Sequence, residues 1–278
     1  MKTWFITGAS RGFGLLIARL ALARGDKVVA TARKPQTVVD AIGAHDNLLA
    51  LALDVTDEAA AFSAAQQALT RFGRIDVLVN NAGYGLLGAV EESSAEEVRR
   101  LYETNVFGVL NVTRAVLPAM RRQRSGHVIN ISSIGGYSAY YGWGVYGSTK
   151  FAVEGISEAL SMELAPLGVH VTVVEPGFFR TDFLDASSLV STAAQIDDYA
   201  ETVGAMRSFA AGANHQQPGD PDKLAAAMLV LADAEKPPVR LQLGSDTVAR
   251  VRAKNESVER ELQEWLPLAL STDHAQAA

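Results

Sequence analysis

Lys2-Thr3-Trp4-Phe5-Ile6-Thr7-Gly8-Ala9-Ser10-Arg11-Gly12-Phe13-Gly14 is the stretch that decides the fold. A short apolar run rich in aromatic and β-branched residues gives way to closely spaced glycines. Leu15 to Ala23 then continue as an alanine- and leucine-rich segment, so the order is strand, tight turn, helix. Such a turn lets backbone approach a pyrophosphate, and the helix N-terminus offers it unpaired N–H groups and a positive dipole end. The spacing is G-x-x-x-G-x-G (Gly8, Gly12, Gly14), not the commoner G-x-G-x-x-G of dinucleotide sites. No Gly-Lys-Ser/Thr follows, which excludes a Walker phosphate loop. By itself, a glycine-rich turn after a strand is equally compatible with ordinary loop chemistry.

Working outward, strand-like runs near residues 3–7, 27–31, 48–53, 75–80, 127–132, 169–175 and 239–243 alternate with helical ones. That alternation predicts one α/β domain over residues 1–278, with a parallel sheet covered on both faces. Ser94-Ala95-Glu96-Glu97 reads as a capping box, and Asp220-Pro221 as an N-cap followed by an N1 proline. The chain of 278 residues has no cysteine, which excludes disulfide and thiolate chemistry and is compatible with a reducing compartment. A strand beginning at residue 3 leaves no room for a cleaved signal, and no apolar run nears the ~20 residues of a membrane span. A cytoplasmic protein with no membrane or nucleic-acid partner is therefore expected, since the formal charge of −6 disfavours phosphate backbones. The basic Arg121-Arg122-Gln123-Arg124 suits the C-terminal dipole of a helix. His45, His127, His170, His215 and His274 show no ligand spacing and read as surface or strand-end residues, so no metal is expected.

Chemistry enters with Tyr146-Gly147-Ser148-Thr149-Lys150 and with Ser133 thirteen residues before the tyrosine. If residues 144–165 are helical, Tyr146 and Lys150 lie one turn apart on one face. A phenol titrates near ~10, and a neighbouring cation favours its ionised form and draws that value towards neutrality. Such a tyrosine exchanges a proton with a carbonyl oxygen at working pH. Taken together, Thr7 to Gly14, Asn80-Asn81-Ala82-Gly83, Asn105, Ser133, Tyr146/Lys150 and Pro176-Gly177 resemble the short-chain dehydrogenase/reductase family, in its compact single-domain branch. The tone of Val28-Val29-Ala30-Thr31-Ala32-Arg33 and the long tail resemble the hydroxysteroid- and retinol-dehydrogenase-like reductases.

The resemblance implies a Rossmann-type doubly wound parallel sheet of about seven strands with helices on both faces. It also implies a ketone or aldehyde interconverted with an alcohol by hydride transfer. Tyr146 would be the general acid/base and Ser133 the hydrogen-bond donor to the carbonyl oxygen. Lys150 would bind the nicotinamide ribose and acidify the phenol, and Asn105 on the helix of residues 96–120 would hold a water leading to Lys150. A plain helix interruption is the alternative for Asn105, since asparagine competes with the helical backbone, and the presence of Ser133, Tyr146 and Lys150 favours the functional role. The cofactor residues it implies are Gly8, Ser10, Arg11, Gly12, Phe13 and Gly14 in the turn, then Arg33, Lys34, Asp54, Val55, Asn81, Ala82, Gly83, Tyr146 and Lys150. Pro176, Gly177, Phe179 and Thr181 complete the set at the nicotinamide end.

Ala32 stands where an NAD-using enzyme would carry an acid to bond the ribose hydroxyls. Arg33 and Lys34 follow it, and Arg11 sits in the glycine turn, so NADP(H) is the expected cofactor. Residues 178–218 fall where the family places its substrate loop and lid. Phe178, Phe179, Phe183, Leu184, Leu189, Met206 and Phe209 recur there, opposite Ile134, Tyr140 and Trp143, and a bulky apolar substrate is expected. From sequence, these residues are wall or core alike. Val248, Val251, Val258, Leu262 and Leu266 predict an amphipathic helix over residues 245–266, laid over the domain or another subunit. Ser271 to Ala278 read as disordered. By resemblance the protein is a homodimer or homotetramer. Two rival functions share the scaffold: a cofactor-sensing regulator without chemistry, against which the intact Tyr146 argues, and an isomerase or dehydratase, which the glycine spacing disfavours.

Overall fold

The computed structural model describes residues 1–274. Its strands are β1 (Thr3–Ile6), β2 (Lys27–Ala32), β3 (Leu48–Ala52), β4 (Val77–Asn80), β5 (Gly85–Leu87), β6 (Gly126–Ile131), β7 (Val169–Pro176), β8 (Leu189–Ser191) and β9 (Arg240–Leu243). Seven of them form one parallel sheet in the order β3-β2-β1-β4-β6-β7-β9, while β5 and β8 make a separate parallel pair. Strand order reverses between β1 and β4, and ligand crevices in such sheets open there, at the carboxyl ends of the strands. This is the doubly wound fold expected from the alternating runs.

The helices are α1 (Gly12–Ala23), α2 (Gln36–Ile42), α3 (Glu58–Phe72), α4 (Ala95–Tyr102), α5 (Gly108–Gln123), α6 (Gly144–Leu164), α7 (Ala205–Ala213), α8 (Pro221–Asp233) and α9 (Ser245–Leu270). Two-residue periodicity in β1 divides the core. Trp4 and Ile6 pack on one face with Ile17 and Ala21 of α1 and Met228 of α8. Phe5 packs on the other, with Ala64 of α3, Val116 of α5, Leu78 and Val128. Both layers are built of buried side chains, and each large one contributes about 1.5–3 kcal/mol. Sheet burial on two faces explains why β1 and β4 are buried throughout and read as near-continuous apolar runs, apart from Thr3 and Asn80, rather than alternating.

Local signals act as their chemistry predicts. The Asp57 carboxylate accepts from Ala60 N at the start of α3, Ser94 and Glu97 complete a reciprocal capping box, and Asp220 accepts from Asp222 N and Lys223 N.

Three expectations are corrected. The helix predicted over residues 96–120 is broken by a π-helical turn, Glu103–Phe107, which seats Asn105 at the junction of α4 and α5. The tail helix runs to Leu270 rather than 266, and only its beginning rests on the domain. Thr247 is buried and Arg250 donates to Ser138 Oγ at 2.8 Å and Ala139 O at 2.9 Å, whereas Val258, Leu262 and Trp265 further along are exposed. Residues 271–274, expected to be disordered, close that helix as a turn with Ser271 N donating to Pro267 O at 3.2 Å; residues 275–278 lie outside the described residues. Of the two placements expected for the histidines, surface or strand end, His127 takes the second: it is the second residue of β6 and is buried. Its Nε2 lies 2.9 Å from Thr172 Oγ1, and burial, helped by His170, pushes its pKa to about 3, so the ring stays neutral. Among the described residues, no helix is long and apolar enough to cross a membrane.

Candidate active site

A cleft of about 1060 Å³ lies over the reversal point. Thr7, at the end of β1, accepts on its hydroxyl from Asn81 N (2.9 Å) and Ala82 N (3.0 Å), while Asn81 Nδ2 donates to the carbonyls of Thr7 and Gly8 at 3.0 Å each. The loop after β4 thus braces the glycine turn. Gly8 sits at φ +63°, and a Cβ on Gly14 would fall 2.6 Å from both Asn81 Nδ2 and Gly8 O. Gly14 does not itself line the cleft; it lets α1 close on the turn, so its part in the expected cofactor site is indirect. Gly8, Ser10, Arg11, Gly12 and Phe13 do line it. Arg11, at the N-cap of α1, supplies no side-chain cap, unlike the residues that start α3, α4 and α8. The first amides of α1 therefore stay available to an anion, and the cradle fits a dinucleotide pyrophosphate.

Ala32, Arg33, Lys34, Asp54 and Val55 form one end of the cleft, with Asn81, Ala82 and Gly83 along its floor. Asp54 Oδ1 accepts from Thr56 N at 3.0 Å and Thr56 Oγ1 at 2.8 Å, which fixes that corner. Arg33 and Lys34 are exposed and form no ion pair among the described residues. Arg11 behaves differently from expectation: its guanidinium donates to Ser187 O at 2.6 Å, tying the glycine turn to the opposite loop instead of joining the other two cations.

At the other end stand Pro176, Gly177, Phe179 and Thr181. Phe179 meets Phe13 edge-on with ring centroids 5.5 Å apart, placing it against the glycine turn. Phe178 N donates to Asp246 Oδ2 at 2.8 Å. Asp246, on the first turn of α9, was not legible as a site residue because it joins the loop across a long stretch of chain.

Tyr146 and Lys150 share the inward face of α6, both buried, with Nζ 5.7 Å from the phenol ring centroid. Lys150 Nζ donates to Ile131 O at 3.0 Å, and Ser133 Oγ accepts from Gly135 N at 3.1 Å. Burial raises the Tyr146 pKa far above its usual value, with the neighbouring Ser133 hydroxyl opposing; burial likewise lowers Lys150 to about 8, with Glu154 opposing. The phenol is thus shifted away from neutrality, opposite to the expectation. Loss of hydration outweighs an ammonium held at that distance by a backbone carbonyl.

Asn105 does not line the cleft. Its Nδ2 donates to Tyr84 O (2.9 Å) and Thr149 Oγ1 (3.3 Å), and its Oδ1 accepts from Tyr84 N (3.1 Å). Both donors are used on protein, which leaves one oxygen lone pair for a water. Ser132 also lines the cleft, but its hydroxyl faces the buried side near Glu154.

Ile134, Tyr140, Trp143, Phe178 and Phe183 wall the space above Tyr146. Trp143 stacks on Phe183 at 6.3 Å, and Tyr140 meets Phe178 edge-on at 6.4 Å. Leu184 joins the wall, whereas Leu189 and Met206 pack behind it and Phe209 supports Phe178 from outside at 5.8 Å. Wall and support are thereby separated, which aromatic content alone left open. His215, expected to stand alone, is exposed and lies 3.3 Å from half-buried Asp185, close to Asp182.

Comparison with known proteins agrees with this arrangement. The short chain dehydrogenase family model matches residues 2–189. A 3-ketodihydrosphingosine reductase of Bacteroides thetaiotaomicron is 40% identical over 263 residues, covering 94% of this chain and 92% of its own. The crystal structure of a short-chain dehydrogenase from Streptomyces avermitilis superposes with TM-score 0.91 at 44% identity, covering 98% of this chain and all (100%) of the other. A Burkholderia phymatum short chain dehydrogenase/reductase in complex with NAD superposes with TM-score 0.82 at 26% identity, covering 94% and 95%. A glycine cradle braced from β4, a phenol and lysine one turn apart, and likeness along nearly the whole length lead to one conclusion: this chain belongs to the short-chain dehydrogenase/reductase family of oxidoreductases.

Proposed function

We propose that the protein is an NADP(H)-dependent carbonyl reductase or alcohol dehydrogenase acting on a bulky, largely apolar ketone. The observation that carries this reading is the convergence of buried Tyr146 and Lys150 with half-buried Ser133 in one aromatic-walled cleft that continues into the glycine cradle. When bound, the nicotinamide supplies or accepts the hydride. Tyr146 moves the proton at its hydroxyl to or from the carbonyl oxygen, and Ser133 Oγ–H donates to that oxygen as charge builds on it, which counts insofar as the bond strengthens in the transition state. Lys150 Nζ, anchored on Ile131 O, holds a positive charge beside the phenol in a site screened from water. The relative named as a 3-ketodihydrosphingosine reductase supports a bulky ketone. The test is loss of NADPH absorbance across ketones, aldehydes and keto-steroids, beside NADH. Binding without turnover on any of them would favour the regulator.

NADP(H) preference rests on Ala32, which puts no carboxylate at that position to repel a 2′-phosphate, and on Arg33 and Lys34 at the same end of the cleft, which form no ion pair among the described residues. Ala32→Asp and Arg33→Asp are each expected to raise the KM for NADPH about tenfold or more, with little loss for NADH. An unchanged ratio of the two constants would sink the assignment.

For the substrate, Trp143→Ala is expected to lower kcat/KM for bulky ketones about tenfold while sparing small ones, because Trp143 stacks on Phe183 over Tyr146. An unaltered size profile places the indole outside the productive pocket. Exposed Phe107, Phe151 and Met162, on the α5 and α6 side of the domain, support the expected homodimer or homotetramer.

A further inference from the structure

One buried side chain on the cleft wall has no part in that reading. Gln217 lies between α7 and α8, is 3% exposed, and neither its Oε1 nor its Nε2 has a hydrogen-bond partner among the described residues. It borders the cleft at the end that also carries Phe178, Phe179 and Thr181. Its backbone is firmly placed. Arg180 Nη2 donates to Gln217 O at 3.3 Å, and two residues on, Gly219 N donates to Phe178 O and Gly219 O accepts from Arg180 N, both at 2.9 Å. Pro218 further restricts the backbone of the residue before it.

A primary amide carries two donors and two acceptor sites, and leaving them unmade away from water is costly. A methionine or leucine would fill the same volume without that cost, so packing alone does not account for a glutamine. The loop paired with this segment, Phe178 to Thr181, is the one the cofactor reading places at the nicotinamide, and the aromatic substrate wall begins at Phe178.

We propose that Gln217 is a binding residue that recognises, through its carboxamide, a neutral group able both to donate and to accept hydrogen bonds. Two sources meet that chemistry: the carboxamide of the nicotinamide, or a hydroxyl on the substrate near the reacting carbonyl. The proposal rests on the reductase reading of the site, and its first test is therefore a binding measurement that needs no turnover.

Gln217→Met and Gln217→Leu keep the volume and remove the hydrogen bonding. Folding is checked by thermal melting, so that either variant serves if the other is unstable. NADPH and 2′,5′-ADP, which lacks the nicotinamide, are titrated by fluorescence, and kcat/KM is then compared for two ketones differing by one hydroxyl. If the amide reads the nicotinamide, NADPH binding weakens about tenfold while 2′,5′-ADP is unaffected. If it reads the substrate, NADPH binding is unchanged and only the hydroxylated ketone loses about tenfold or more, the pattern of a polar site denied its partner. Unchanged constants throughout, or equal weakening of NADPH and 2′,5′-ADP, overturn the proposal. Should the wild-type protein reduce no ketone, the reductase reading fails separately, the NADPH comparison alone decides, and an unchanged constant counts against Gln217.

Discussion

Tyr146→Phe is expected to lower turnover about 10³-fold while leaving NADPH binding within about twofold, because the substitution removes one oxygen from a side chain otherwise retained by packing. The three tyrosines just before it in the chain are engaged or placed elsewhere. Tyr137 bonds Asn255, Tyr140 lies against the Arg250 guanidinium at 4.5 Å, and Tyr141 is exposed. The Trp143 and Phe183 rings still hold the phenylalanine, with centroids 5.5 and 5.6 Å from that of Tyr146, so a structural collapse is not expected to mimic the chemical loss. Stopped-flow or steady-state turnover beside a fluorescence titration separates the two. Turnover within tenfold of wild type would remove Tyr146 from the proton transfer. A linked expectation concerns pH. Lys150, lowered to about 8 by burial, carries its charge below that value and loses it above, so kcat/KM falls as pH rises through about 8.

Arg240→Met is expected to destabilise the fold by about 3–5 kcal/mol, the cost of leaving buried charge uncompensated. Arg240, on β9, reaches Glu158 at 2.5 Å, Glu154 at 3.3 Å and Glu175 at 4.0 Å; Glu175 is fully buried and Glu154 nearly so. Burial raises Glu154 to about 7, Ser132 lowers it, Glu175 raises it further and Arg240 lowers it. Burial also raises Glu175, against Gln242 and Arg240. The folded value of Glu154 lies above its ordinary 4.5, so its contribution to stability is fully present below about pH 4.5 and is lost as pH rises through about 7. Melting temperature is therefore expected to fall between pH 5 and 8, Glu154→Gln to flatten that slope, and Arg240→Met to steepen it. A melting temperature for Arg240→Met within a degree or two of wild type across that range would show that water, not the guanidinium, compensates the carboxylates.

The legible parts of the site were those whose chemistry repeats locally. Gly8 and Gly14 follow from the need for a left-handed turn and a close approach, and the helical offset between Tyr146 and Lys150 follows from the pitch of one helix. Asn105 was legible as a residue but not as a position, because the π-helical turn that seats it depends on how α4 and α5 pack, not on a sequence period. Arg11 was misplaced for a similar reason: its partner, Ser187 O, lies on a loop far along the chain. Gln217 and Asp246 gave no signal, since an isolated polar residue in a loop or a first helical turn looks like any solvated one until burial is known.

By itself, the sequence determined the parallel sheet, its strand order of appearance, the glycine cradle and the tyrosine–lysine pair, all of which arise from short-range periodicity and from residues whose backbone or side-chain chemistry is specific. Only the tertiary structure decided which aromatic side chains wall the cleft and which support it, that burial outweighs the lysine in setting the phenol's ionisation, and that a glutamine amide beside the cleft has no hydrogen-bond partner among the described residues. Those properties depend on desolvation and on contacts between distant segments, and both exist only once the chain has closed around its core.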